Sequence, residues 1–239
     1  MYALITHHDP GYQPLADLTW EGNKVLYAKK HGYDYHAKTA DFFTFQPGTC
    51  PMTGFEKIHF AKQILTEHPE YEWIWWTGTD SMITNFSTRI EDRVNNAYHF
   101  IVCTDINGIN ADSLLIRNSP EALAFLDDIL TIEQGGVNSW DGEQWAIGQL
   151  LGLPGTGEAG WPYGENLVIT NQYKNVVKIM PQRYMNSFNY HLYPQYTVPR
   201  DKLDFDGNWQ LGDWLIHWPA VPLNYRIELA NFYKEYIIK

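Results

Sequence analysis

The sequence predicts an α/β protein whose central sheet is mainly parallel and is flanked by helices. Short apolar runs rich in strand-forming residues alternate with longer segments whose apolar residues recur at helical spacing. This alternation is typical of a parallel sheet with helices on both faces. The 239 residues, 44% of them hydrophobic, suffice for one substantial core, and we expect residues 1–239 to form a single domain.

Three strands and two helices are predicted for the first half of the chain. The strands are short runs of apolar and aromatic residues, and the helices repeat apolar residues every three or four positions. Gly32 should end the first helix, and Pro69 limits the second. In chain order these elements cover residues 2–6, 15–30, 33–37, 55–65 and 71–76.

The second half continues the same pattern. Two apolar strands are followed by a helix that should open at Pro120, because proline is favoured in the first turn of a helix. A short helix, a last strand and a closing amphipathic helix come after it. The predicted ranges are 100–104, 113–117, 120–129, 141–151, 214–218 and 223–238.

Composition and charge exclude several classes of partner and compartment. The net charge of −11 disfavours nucleic acid or an anionic membrane surface, and a phosphorylated substrate would need a cation to hold it. Two cysteines, Cys50 and Cys103, indicate neither a disulfide framework nor a cysteine zinc site. With no signal-peptide pattern and no run of about 18 apolar residues, we expect a soluble cytoplasmic protein without a membrane span.

Three common enzyme motifs are missing from the sequence. There is no Gly-x-Gly-x-x-Gly after the first strand, no Gly-x-x-x-x-Gly-Lys-Ser/Thr and no Gly-x-Ser-x-Gly. Dinucleotide-binding Rossmann domains, P-loop enzymes and serine hydrolases of the α/β class are therefore disfavoured.

Asp80 is the leading candidate for a metal ligand. It follows the aromatic strand that ends at Trp76, so it should lie at the carboxyl edge of the sheet, where α/β proteins bind ligands. Hard divalent ions prefer carboxylate oxygens. An isolated aspartate in a turn can equally cap the next segment. No second group of carboxylates with convincing spacing accompanies Asp80, which disfavours a metal phosphohydrolase.

Several short motifs support a more specific interpretation. They are Asn23-Lys24-x-x-Tyr27-Ala28-x-x-His31-Gly32-Tyr33, Glu72-Trp73-Ile74-Trp75-Trp76-x-x-x-Asp80, Asn110-x-x-Ser113-x-Leu115-Ile116-Arg117-Asn118-Ser119, Glu143-Gln144-x-Ala146-Ile147, Met180-Pro181-Gln182-Arg183-x-Met185-Asn186-Ser187 and Gly212-Asp213-x-x-Ile216-His217. In these motifs and in their order the chain resembles the fungal and plant galactosyl, mannosyl and xylosyl transferase family.

The resemblance implies a GT-A fold, a nucleotide diphosphate sugar donor carrying uridine or guanosine, and a glycan or glycoprotein acceptor. It also implies retention of anomeric configuration and a divalent cation, Mn²⁺ or Mg²⁺, held by Asp80 and His217. The family's Asp-x-Asp metal motif reads Gly78-Thr79-Asp80 here, and family members generally have glycine where this chain has Asp112. A catalytically impaired sugar- or nucleotide-sugar-binding protein is the alternative, and restoring aspartate at Gly78 should then rescue activity.

The remaining site residues follow from the resemblance and from positions at strand ends. The candidate catalytic residues are Glu143, Gln144 and Asp105. The candidate nucleotide-sugar-binding residues are Thr6, His7, His8, Lys57, Gly78, Thr79 and Asn110. Simpler roles stay open: Glu143 suits the first turn of a helix on electrostatic grounds alone, Lys57 suits a solvated helix face, and Asp105 suits a turn.

Overall fold

The computed structural model describes residues 1–39, 53–105, 108–135, 142–153, 167–189 and 207–239. Within these ranges the strands form a six-stranded sheet and a second, three-stranded sheet. The strands are β1 (Tyr2–His8), β2 (Asp34–Thr39), β3 (Trp73–Thr77), β4 (Ser81–Ile83), β5 (Phe100–Asp105), β6 (Gly108–Arg117), β7 (Val177–Met180), β8 (Ser187–Phe188) and β9 (Leu215–His217).

The large sheet has the order β2-β1-β3-β6-β5-β7. Strand β6 pairs antiparallel with both neighbours, and the other pairings in this sheet are parallel. The prediction of a mainly parallel central sheet is therefore confirmed. The small sheet, with the order β4-β9-β8, was not predicted, and its strands are only two or three residues long.

The helices lie close to their predicted ranges. They are α1 (Gln13–Ala16), a π-helical segment (Asp17–Lys24), α2 (Val25–His31), α3 (Thr53–Glu67), α4 (Pro120–Gln134), α5 (Glu143–Leu150) and α6 (Leu223–Tyr233). Gly32 ends α2 with a left-handed φ of 72°, as predicted. Helix α6 stops at Tyr233 instead of continuing to residue 238, because a 3₁₀ turn follows it. The predicted start of α5 at residue 141 lies outside the described residues.

Both faces of strand β3 are buried, and this fixes the strand that leads into the acidic turn. Ile74 and Trp76 belong to one apolar cluster, whereas Trp73 and Trp75 belong to another on the opposite face. The ring of Trp75 stacks on Trp214 with 3.9 Å between ring centroids. The strand is thus clamped from both sides, as expected for a central strand of an α/β sheet.

The sequence predicted no membrane span and no role for the two cysteines in a disulfide framework or a zinc site. No helix in the described ranges is both long and apolar enough to cross a membrane. Cys103 is a free, buried thiol whose pKa is raised to about 12 by burial, whereas Cys50 lies outside the described residues.

Polar residues of the π-helical segment hold the turn that follows β3. Lys24 is fully buried, and its Nζ donates hydrogen bonds to the backbone oxygens of Gly78, at 2.7 Å, and Ser81. Burial lowers the pKa of Lys24 to about 7, although the nearby carboxylates oppose that shift. Thr19 donates its hydroxyl to the backbone oxygen of Thr79 at 2.6 Å. The turn carrying Asp80 is therefore held in place by hydrogen bonds from the π-helical segment.

Replacing Lys24 with methionine should destabilise the protein, because the buried backbone oxygens of Gly78 and Ser81 lose a donor, although that of Gly78 keeps the hydrogen bond from the Ser81 hydroxyl. We expect the free energy of unfolding to fall by about 2–3 kcal/mol, the size of a lost hydrogen bond to a charged group. Urea unfolding of Lys24→Met measures this change. The matched control is Lys30→Met on the exposed end of α2, which should stay within about 0.5 kcal/mol of the wild type. Equal effects of the two substitutions would contradict the bracing role of Lys24.

Candidate active site

A cavity of about 210 Å³ opens at the carboxyl ends of β1 and β3. This is the edge of the sheet at which α/β proteins bind ligands. The residues that line it are His7, His8, Asp9, Tyr12, Lys57, Trp76, Gly78, Thr79, Asp80, Asp112 and Arg226. The sequence analysis named six of these positions, counting Asp80, among its site residues.

Asp80, Asp112 and His217 form a cluster beside this cavity. One ligand atom from each residue lies within 4.8 Å of the other two. The Nε2 atom of His217 is 3.5 Å from Oδ2 of Asp80 and 3.4 Å from Oδ2 of Asp112. The other ring nitrogen, Nδ1, is 2.9 Å from Oδ1 of Asn186. Because an amide oxygen only accepts, this contact directs Nε2 towards the two carboxylates.

The surrounding charges favour the ionised form of Asp80. Burial alone would raise the pKa of its carboxyl group, but Arg226 and His217 outweigh burial and hold that pKa well below the usual range. Nη2 of Arg226 is 3.0 Å from Oδ2 of Asp80. Burial likewise lowers the pKa of His217, but Asp112 and Asp80 outweigh it and raise that pKa. The cluster therefore concentrates negative charge that nearby basic groups balance.

The two departures from the family pattern, Gly78 and Asp112, lie next to each other in the structure. Thr77 of β3 pairs with Ser113 of β6, so Gly78 faces Asp112 across the antiparallel strands, and the amide of Gly78 donates to the backbone oxygen of Asp112 at 3.0 Å. A Cβ atom on Gly78 would lie 2.0 Å from Oδ1 of Asp112. The Asp112 carboxylate thus occupies the space of a residue-78 side chain. An aspartate at position 78 would therefore require the Asp112 carboxylate to move.

Of the predicted catalytic pair, Glu143 contacts the cavity residue Lys57, and Gln144 contacts the backbone of Ala111. Nζ of Lys57 is 2.6 Å from Oε1 of Glu143 and donates to the backbone oxygen of Ala111 at 3.0 Å. The side-chain oxygen of Gln144 accepts from the amide of Ala111 at 2.9 Å. Burial lowers the pKa of Lys57, but Glu143 and the nearby aspartates outweigh it and raise that pKa. Of the three side chains, Lys57 lines the cavity.

The residues predicted at the end of β1 take two different positions. His7 and His8 line the cavity, as does the predicted Thr79. Thr6 does not line it: its side chain is fully buried, and its hydroxyl donates to the backbone oxygen of Thr77 at 2.7 Å. The geometry therefore gives Thr6 a bracing contact with the motif strand instead of the predicted contact with a ligand.

Asp105 and Asn110 also lie behind the cavity wall, not on it. The side-chain amide of Asn110 donates to Oδ2 of Asp105 at 2.8 Å. The side-chain oxygen of Asn110 accepts from the amide of Asp112 at 3.0 Å. Both predicted residues are therefore connected to the cluster through the backbone of Asp112.

Five cavity residues were not assigned to the site from the sequence: Asp9, Tyr12, Trp76, Asp112 and Arg226. Asp112 had been noted only as a departure from the family pattern, and that departure was the available signal. Arg226 lies on α6 and Tyr12 in a 3₁₀ turn, and neither stands in a recognisable motif. The side chains of Arg226 and Tyr12 are within 3.2 Å of each other, so the last helix closes against the first loop.

The fold defines the class of protein. A glycosyltransferase involved in the glycosylation of the major capsid of PBCV-1 superposes with a TM-score of 0.68 at 13% sequence identity, over 97% of this chain and 98% of that chain. The fold is the GT-A fold of glycosyltransferases, which confirms the fold expected from the resemblance.

Sequence comparison then shows which family the chain resembles. Residues 10–97 match the galactosyl transferase GMA12/MNN10 family. A Schizosaccharomyces pombe protein named uncharacterized alpha-1,2-galactosyltransferase C1289.13c is 27% identical over 166 residues, and the Arabidopsis thaliana xyloglucan 6-xylosyltransferase 2 is 29% identical over 115 residues. The aligned regions cover 54% and 44% of this chain. The resemblance to galactosyl-, mannosyl- and xylosyltransferases that the motifs predicted is therefore confirmed.

The aligned part of the chain spans less than half the length of these two relatives. It covers 43% of the fission yeast protein and 24% of the plant protein. The matched region of the family model contains Gly78 and Asp80 but ends before Asp112 and His217. Substrates and site roles therefore rest on this chain's own geometry.

Substituting Gly54 with alanine should disturb the Lys57–Glu143 ion pair. A Cβ atom on Gly54, in the first turn of α3, would lie 1.5 Å from Oε2 of Glu143 and would force that carboxylate to move. We expect a loss of about 1–3 kcal/mol in the free energy of unfolding, as for other overpacked sites.

The matched control is Gly148→Ala in α5, where an added Cβ meets nothing within 4 Å. That variant should be neutral or more stable by up to about 1 kcal/mol, because alanine favours helices. Thermal unfolding measures both variants. A Gly54→Ala protein as stable as Gly148→Ala would show that Glu143 is not packed against α3 as described.

His7 should make folding sensitive to acid. Burial, followed by the charges of Lys57 and Lys38, lowers the pKa of His7 to about 3, whereas histidine in an unfolded chain titrates near 6.5. Between these values the unfolded state binds the additional proton, so stability falls as the pH falls from about 6.5 towards 3. The contribution is at most about 1.4 kcal/mol per pH unit.

We therefore expect His7→Gln to lose less stability than the wild type between pH 6.5 and pH 4.5. Urea unfolding at several pH values provides the measurement. His59→Gln, at an exposed position of α3, is the control and should leave the pH dependence close to that of the wild type. An unchanged slope in His7→Gln would contradict the burial of a neutral imidazole.

Proposed function

We propose that this protein transfers a hexose or pentose from a nucleotide diphosphate sugar to a glycan acceptor, with retention of anomeric configuration. The observation that carries the proposal is the Asp80–Asp112–His217 cluster beside a cavity at the carboxyl edge of a GT-A sheet. The match of residues 10–97 to a family named for a sugar transferase supports the same reaction class.

The cluster fits a divalent cation. Two carboxylates and one imidazole can each offer a ligand atom, all within 4.8 Å of one another. Oδ2 of Asp112 is buried and has no hydrogen-bond partner within the described ranges, although it lies near His217. A mixed oxygen and nitrogen set suits Mn²⁺, and Mg²⁺ would use mainly the oxygens. When bound, such a cation neutralises the charge that develops on a departing diphosphate.

The chain's own basic residues would orient the donor. Arg226 and Lys57 both line the cavity, so they place positive charge beside the carboxylates in a protein whose net charge is −11. These two basic side chains would attract a diphosphate in spite of the negative net charge of the protein. His7, His8 and Thr79 line the same cavity and are the proposed contacts for the rest of the donor.

The predicted catalytic residues Glu143, Gln144 and Asp105 are proposed to act near the anomeric carbon from behind the cavity wall, through Lys57, Ala111 and Asn110. Lys57 holds the Glu143 carboxylate, and Gln144 anchors the backbone next to Asp112. A fixed carboxylate or amide oxygen stabilises an oxocarbenium ion as the glycosidic bond loosens. Attack on the same face as departure would then give retention. The cavity of about 210 Å³ is smaller than typical ligand sites of about 300–1,000 Å³, so a donor would extend beyond it.

Thermal unfolding with a panel of nucleotide sugars tests the proposal. One uridine or guanosine diphosphate sugar should stabilise the protein in the presence of Mn²⁺, by about 2.7 kcal/mol at 100 times its Kd. Transfer to a simple sugar acceptor, followed by NMR of the new anomeric proton, then reports the stereochemistry. Binding without donor hydrolysis or transfer would support the impaired binding protein, and no binding of any donor would refute the proposed function.

Asp80→Asn should remove most of the Mn²⁺-dependent part of this stabilisation while keeping the shape of the side chain. The control is Glu228→Gln, which removes an exposed carboxylate from α6 and should preserve the response to donor and Mn²⁺. The same Mn²⁺ dependence in Asp80→Asn and Glu228→Gln would show that Asp80 does not hold the cation.

A further inference from the structure

We propose that Asp112 supplies, from strand β6, the carboxylate that a residue at position 78 would otherwise provide, and that Gly78 is its required partner. The two positions then form an exchanged pair across two strands. The inference deepens the proposed function, because it states how this chain completes its metal site with a single aspartate in the turn after β3.

The strand register brings the two positions together. Thr77 pairs with Ser113, and the amide of Gly78 donates to the backbone oxygen of Asp112 at 3.0 Å. Residues directly opposite in antiparallel strands have Cβ atoms about 4.5–5.5 Å apart. A carboxylate carried by position 112 can therefore reach the space beside the backbone of position 78.

A side chain at position 78 would collide with the Asp112 carboxylate in its present position. A Cβ atom at Gly78 would lie 2.0 Å from Oδ1, 2.6 Å from Cγ and 2.6 Å from Oδ2 of Asp112. All three distances are well below van der Waals contact. The absence of a side chain at Gly78 is therefore the condition for the observed position of the Asp112 carboxylate.

The backbone around Asp112 is held from several elements. Its amide donates to Asn110, and the preceding residue, Ala111, receives a hydrogen bond from Lys57 and donates one to Gln144. Its carboxylate faces the buried imidazole of His217 at 3.4 Å, and Oδ2 has no hydrogen-bond partner in the described ranges. A fixed carboxylate with an unused buried oxygen is suited to coordinate a cation next to Asp80.

A purely electrostatic role for Asp112 is the competing explanation. Asp112 could serve only to balance the positive charge of His217, while Arg226 occupies Asp80. In that case Mn²⁺ affinity would not depend on the Asp112 carboxylate. Measuring Mn²⁺ binding directly, without donor, separates the two explanations.

The test compares the wild type with Gly78→Asp, Asp112→Gly and the double variant Gly78→Asp/Asp112→Gly. Mn²⁺ affinity is measured by calorimetry and by the electron paramagnetic resonance signal of free Mn²⁺. We expect each single variant to bind Mn²⁺ at least about tenfold more weakly, Asp112→Gly through loss of a ligand and Gly78→Asp through the collision. The double variant should recover affinity to within about threefold of the wild type.

Asp112→Asn is a second test of the Asp112 carboxylate, for use if one of the three variants above does not fold. It keeps the size of the side chain and should also weaken Mn²⁺ binding at least about tenfold, whereas Glu228→Gln should not. Thermal unfolding in the absence of Mn²⁺ confirms that each tested protein is folded.

Unchanged Mn²⁺ affinity in Asp112→Asn would overturn the inference, as would tighter binding by Gly78→Asp alone or no binding by the wild type. These outcomes differ from failure of the proposed function. If the four proteins show the expected Mn²⁺ affinities but bind no nucleotide sugar, the proposed function is refuted and the pairing of Asp112 with Gly78 is upheld. Sugar transfer from a donor without Mn²⁺ binding would uphold the proposed function and refute the role of Asp112 as a metal ligand.

Discussion

The placement of two half-buried carboxylates side by side is the constraint on which the rest of this structure depends. Asp80 and Asp112 repel each other and lose hydration, so their proximity requires compensating positive groups. Four basic side chains from four different elements surround them. These are Lys24, Lys57, His217 and Arg226. Helices and strands far apart in the sequence are thus tied to one small region by charge.

The same constraint explains why so many polar side chains are buried without facing the cavity. Thr6, Thr19 and Lys24 donate to backbone oxygens of β3 and the turn after it, while Asn110 and Gln144 accept from amides around Asp112. Each contact satisfies a backbone group that would otherwise be costly to bury. The acidic turn is therefore rigid before any ligand arrives, which lowers the cost of binding.

Sequence patterns captured the long, strongly apolar elements and missed what depends on neighbours in space. Strand β3 and helix α4 follow from their composition, whereas β8 has two residues and no periodicity to detect. The family motifs brought Asp80 and His217 to attention. Asp112 escaped because a motif records spacing along the chain, and the opposition of residues 78 and 112 arises from antiparallel pairing. The contact of the Thr6 hydroxyl with the backbone oxygen of Thr77 likewise depends on the pairing of neighbouring strands.

The contacts of Asp80 with the last strand and the last helix also have a consequence for the order of folding. His217 lies on β9 and Arg226 on α6, more than 130 residues after Asp80, so the cluster is held together by contacts of very long sequence separation. Such contacts form late because their loop-closure entropy is large. During synthesis, the two carboxylates remain without these partners until the C-terminal elements have emerged. The Asp80–Asp112–His217 cluster is therefore assembled only after β9 has been synthesised, and Arg226 joins it later still.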